Sequence, residues 1–128
     1  MTRTWWYLVT LGAAATISVN AMQGPQVASV MREKLGHTQK ILEAMVTSDW
    51  VALETQSRVL EELTNDRRWF VLNSPEYARH STSFKQAVHD LHAAAVTRDL
   101  DEAPKAYAAM TLQCVDCHRY LARARLAK

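Results

Sequence analysis

Residues 26–47 read QVASVMREKLGHTQKILEAMVT, and this stretch decides the fold class. Val27, Met31, Leu35, Thr38, Leu42 and Met45 recur every three or four positions. That is the period of one face of an α-helix; a half-buried strand would alternate every second residue. Pro25 stands just ahead, where a first-turn proline loses no hydrogen bond that the helix would have made. Gly36 interrupts the face at a cost of about 1 kcal/mol against alanine. Either something approaches the helix closely there, or the helix tolerates it.

Outward from this stretch, three more segments carry the helical period. Ser48 and Asp49 suit the start of a second helix, with Val51 or Leu53, then Ser57, Leu60 and Leu63 inside, fading near Thr64, Asn65 and Asp66. Residues 67–72 contain Trp69, Phe70 and Val71 and are expected to plug one end of the fold. Asn73-Ser74-Pro75-Glu76 offers cap residues, a first-turn proline and an acid at the positive end of the helix dipole. A third helix should follow to about Thr97, turning Tyr77, Phe84, Val88, Leu91 and Ala95 inward. Asp99-Leu100-Asp101-Glu102 closes it and opens a fourth from about Pro104, with Ala106, Met110, Cys114, Cys117 and Leu121 near one face. Short connectors make consecutive helices antiparallel neighbours, so the expected fold is all-α, an up-down-up-down four-helix bundle. Composition agrees. Three glycines and three prolines in 128 residues are too few for the turns of a β-sandwich or for a phosphate loop. Lys plus Arg number 15 against 13 acids, a balance that argues against a nucleic-acid binder.

The first residues read differently. Arg3 precedes Trp5, Trp6 and an apolar run to Val19, and Val19-Asn20-Ala21 has the small side chains of a leader cleavage site. Residues 1–21 are therefore expected to be a signal peptide, cut after Ala21, with residues 22–128 exported to the periplasm as one bundle domain. The alternative is an uncleaved anchor tethering the protein to a membrane, although the run is short for a full span.

The chemistry lies near the other end. Cys114-Val115-Asp116-Cys117-His118 is C-x-x-C-H, the attachment motif of c-type haem. On a helix, positions 114, 117 and 118 share one side, so two sulfurs can reach the two vinyl groups of one porphyrin while the imidazole meets its iron. One covalent haem c is the expected cofactor. It would supply an element that a small core lacks, so the haem-free chain is expected to be molten or unfolded. Three other chemistries remain open: a disulfide, a dithiol redox pair, and a zinc site drawing on Cys114, Cys117, His89 and His92.

With C-V-D-C-H near the end of a predicted four-helix chain, the sequence resembles the class II cytochromes c, the cytochrome c prime group. Residues 31–37, Met31-Arg32-Glu33-Lys34-Leu35-Gly36-His37, are also similar to the part of that family that lies over the distal haem face. The resemblance implies thioether bonds at Cys114 and Cys117, His118 as proximal iron ligand, and Met31 and Leu35 at the distal face, Met31 as a candidate sixth ligand. An open sixth position and His37 are the competing readings. The order His118-Arg119-Tyr120-Leu121-Ala122-Arg123 departs from the family, whose aromatic comes one position later, so roles at those positions do not transfer. The implied function is electron transfer with redox partner proteins. The alternative is a five-coordinate haem protein that binds NO or CO. No acid–base pair or nucleophile constellation suggests an enzyme. Homodimers form through the first two helices in this family, and Ala28, Ala44 and Ala52 would permit close contact. His80, His89 and His92 are expected at the surface or its boundary. Arg32, Lys34, Arg79 and Lys85 are expected as solvated charges or propionate partners.

Overall fold

The computed structural model describes residues 20–126, with side chains from 25 to 124. The expected leader, apart from Asn20 and Ala21, lies outside the described residues. Four α-helices run in order: α1 Asn20–Val46, α2 Trp50–Leu63, α3 Pro75–Thr97 and α4 Glu102–Leu126, with a short 3-10 turn at Arg67–Trp69 before α3. Among the described residues there is no strand, and no helix is long and apolar enough to cross a membrane.

The helix ends follow the local chemistry. Asp49 caps α2, its Oδ1 accepting from the Ala52 N–H at 3.0 Å. Ser74 caps α3, accepting from the Tyr77 N–H at 3.1 Å, with Pro75 in the first turn. Asp99 Oδ1 accepts from the N–H groups of Asp101 and Glu102 to open α4. With no glycine available, Ser48 (φ 58°) and Arg98 (φ 55°) take the left-handed positions that end α1 and α3. Asp49 N–H then returns to the Ala44 carbonyl and Asp99 N–H to that of Ala94, satisfying carbonyls that the helix leaves free. One expectation is corrected. α1 starts at Asn20, so Pro25 lies inside it and costs the bond its N–H would have made one turn back. Gly36 is tolerated rather than used: a methyl group there would meet nothing within 4 Å.

Cross-helix bonds give the directions. His37 Nδ1 meets Gln56 Oε1 at 2.8 Å, while Glu33, earlier in α1, meets Arg68, beyond the end of α2. Ser57 reaches His92, Glu61 reaches His89, and Asn65 reaches Lys85, numbers rising on α2 as they fall on α3. Tyr120 of α4 bonds Ser74 at the start of α3 and packs on the His80 ring at 5.3 Å. Consecutive helices are antiparallel, as expected. The core joins Ile41, Leu53, Leu60, Phe84, Val88, Leu91 and Met110. The inward residues expected for α3 are all buried. Trp69 plugs the core edge, its indole N–H donating to Ser81 Oγ at 3.2 Å, and the Tyr77 hydroxyl donates to its carbonyl. Phe70 and Leu72 do not join the plug and stand exposed.

α1 faces inward differently from the expected stripe. Its buried residues are Val30, Lys34, Ile41 and Ala44, whereas Leu35 is 57% exposed and Leu42 44%. The reason is tertiary. α1 packs fully on α2 but hardly at all on α4, so the flank carrying Leu35 and Leu42 has no helix against it. Ala44 is spent inside the chain's own core rather than offered to a second copy, while Ala28 is exposed. His80, expected near the surface, is buried.

A polar clamp ties the 3-10 turn to α1. The Arg68 guanidinium bonds Asp66 at 2.6 Å and Glu33 at 2.9 Å. It holds both carboxyls below their ordinary values of 3.8 and 4.5. Acids whose pKa is lowered by folding stabilise the fold above their unfolded pKa and lose that contribution as pH falls through it. The wild type should therefore lose stability on acidification below about pH 4, and Arg68→Ala should lose less over the same interval. Urea midpoints at neutral pH and below pH 4 check this; equal losses in both proteins would contradict it.

Candidate functional site

Cys114 and Cys117 lie in the second half of α4, both half-buried and both free thiols. Seven residues before Cys114 is Tyr107, about 20° away around the helix at 100° per residue. The Tyr107 hydroxyl donates to the Thr38 carbonyl of α1 at 3.4 Å, so this flank of α4 looks toward α1. His118 falls about 20° beyond Tyr107 on the same flank. The two cysteines lie on its inward side, Cys114 beside buried Met110, whose carbonyl accepts from its Sγ at 3.4 Å. His118 is exposed, and among the described residues no side chain or carbonyl fixes its ring.

The Thr38–Tyr107 contact also sets the register of the α1–α4 seam. Seven residues toward the start of α1 is Met31, and seven toward the end of α4 is Cys114. In antiparallel helices of equal rise these share a level. Met31 is half-buried and packs against the core cluster, with Leu35 one turn on along the seam flank. α1 and α4 meet far less closely than α1 and α2 or α3 and α4. By this register Met31, Cys114, Cys117 and His118 lie along the same stretch of the α1–α4 seam. His37 does not join them: its ring is taken by Gln56 of α2.

The burial of one residue here was not foreseen: Lys34, expected as a solvated charge or a propionate partner, is only 8% exposed. Its Nζ stands 3.4 Å from the centroid of the Phe84 ring and 4.4 Å from that of Trp69. Burial pushes its amine below the ordinary lysine range, and Cys114 and Cys117 push the other way. Sequence held a signal for it: Val30, Lys34, Ile41 and Ala44 are themselves spaced as one helical face.

The geometry weighs on the open alternatives. His89 and His92 turn to Glu61 and Ser57 of α2, not to the cysteines. Among the described residues, no three His, Cys, Asp or Glu side chains are grouped to hold a metal ion. Reactive dithiols sit at helix N-termini, where the dipole lowers the thiol pKa. Cys117 lies far from that end, and burial raises its thiol. A cavity of about 520 Å³ under the 70–74 loop, against Tyr77 and Ser81, includes none of the seam residues. Comparison with family models, curated proteins and solved structures returned no match.

Proposed function

We propose that the chain is an exported c-type cytochrome carrying one haem and serving electron transfer between redox partner proteins. The observation that carries this reading is C-x-x-C-H on the flank of α4 that looks toward α1, along a seam where the two helices make little contact. Cys114 and Cys117 are half-buried free thiols there, and His118 lies beside them. A flat macrocycle needs two thiols on one helix face, an imidazole beside them and room between helices, and the residues present fit it. Each thiol would add across one vinyl group, giving a thioether with no by-product. His118 would hold the iron through its neutral ring nitrogen. Met31, at the level of Cys114, would face the opposite side, with Leu35 covering the outer edge of the seam. Bound there, haem supplies a one-electron iron couple whose potential the axial ligands tune. The chain's own part is to hold that group rigidly, shield it from water on the inner side and leave one edge open to a partner. Export fits the chemistry, because a covalently held haem is not lost to dilution outside the cytoplasm.

Covalent attachment is the test. The protein, produced in cells that mature c-type cytochromes, should keep its haem through acid–acetone extraction and gain the mass of one haem. Cys114→Ala with Cys117→Ala should release it entirely. Covalent haem in the double variant, or none in the wild type beside a properly matured control cytochrome, would overturn the reading.

A further inference from the structure

We propose that Lys34 supplies the sixth ligand of the iron, its side-chain nitrogen taking the position that Met31 would otherwise fill. This rests on the haem reading above. Lys34 is the buried residue whose chemistry the fold leaves unexplained. Among the described residues its amine has no carboxylate, carbonyl or hydroxyl partner; its neighbours are the faces of Phe84 and Trp69. The two ring faces offset part of what burial costs the ammonium, and burial moves its pKa down from the ordinary lysine value. On binding iron the amine would release its proton to solvent, and the lone pair so freed would form the bond.

Position supports the same reading. Cys114 packs against the buried cluster that contains Phe84 and Trp69, the two rings beside the Lys34 amine. Lys34 is three residues, about 4.5 Å of rise, beyond Met31. Helical side chains lean back toward the N-terminus, so a four-carbon stem brings its nitrogen back to the Met31 level, opposite the cysteines. Met31 has a shorter reach from the flank of the seam. His37, the other nitrogen donor of α1, is bonded to Gln56.

The experiment uses ferric holoprotein labelled with lysine carrying ¹⁵N at its side-chain nitrogen. Pulsed electron paramagnetic resonance should show low-spin iron coupled to that nitrogen. Lys34→Leu, which keeps an apolar stem, should lose both the coupling and the low-spin signal and should bind carbon monoxide readily on reduction. Met31→Ala should leave the low-spin signal in place. A high-spin wild type, a low-spin signal that survives Lys34→Leu, or a thioether-to-iron charge-transfer band that disappears in Met31→Ala would each overturn the proposal. If Lys34→Leu does not fold, the ¹⁵N coupling in the wild type decides alone. Covalent haem with another sixth ligand defeats this inference only; absence of covalent haem defeats the cytochrome reading, and this one with it.

Discussion

Phe84→Ala should cost about 3–5 kcal/mol of folding stability, the range for emptying a buried aromatic site. Phe84 is almost wholly buried at the middle of α3, the helix flanked by both α2 and α4. Its ring packs on Trp69 with centroids 5.4 Å apart and lies under the Lys34 amine. Alanine would leave a hole that neither neighbour fills, because Trp69 is pinned by its bond to Ser81. A small domain holds only about 5–15 kcal/mol in all, so this loss is a large share of the total. The urea midpoint should fall with the slope of the transition unchanged. A shift worth less than about 1 kcal/mol would mean that the core is not centred on this ring.

If the proposed haem is attached, the second large effect separates the haem-bearing protein from the Cys114→Ala, Cys117→Ala double variant. Among the described residues, the end of α4 is held to the start of α3 and its cap by Tyr120, which packs on His80 and bonds Ser74. Near the seam, Leu35 of α1 and Val115 of α4 stand exposed. A group joining the two flanks would cover them; about 150 Å² of apolar surface at about 25 cal/mol per Å² is worth about 4 kcal/mol. The double variant should therefore unfold at much lower urea concentration. It should also lose dispersed side-chain NMR signals first in the second half of α4. Equal midpoints would show that nothing occupies the seam.

How much was legible varies by element. The five side chains expected inside on α3 are all buried, and the misreading there was His80, expected at the surface or its boundary and buried instead. α3 has a neighbour on each side, so its whole apolar stripe is needed, and stripe and burial coincide. α1 is harder because a full partner covers only one of its flanks. Two residue sets on it, Met31-Leu35-Leu42 and Val30-Lys34-Ile41, both keep the helical period, and apolarity favoured the first. The second is the one inside. Phe70 misled for the opposite reason: a large apolar residue in a connector need not turn inward, and here only Trp69 finds a hydrogen-bond partner in the core. Of the candidate site, the cysteines and His118 were legible as a motif. Lys34 was not, since charge alone argues for solvent.

Sequence by itself determined the number of helices, the caps that open α2, α3 and α4, and the C-x-x-C-H motif at residues 114–118. These depend on period, on side chains that bond the nearest N–H groups, and on spacing along a single helix. All of them are settled within a few residues. Only the tertiary structure decided which flank of α1 is buried, that the Lys34 amine lies over the rings of Phe84 and Trp69, and that α1 and α4 make little contact. A helical period defines a face but not the direction it points. That direction is set by the packing of distant segments, and the cost of burying a charge depends on every group that packing brings around it.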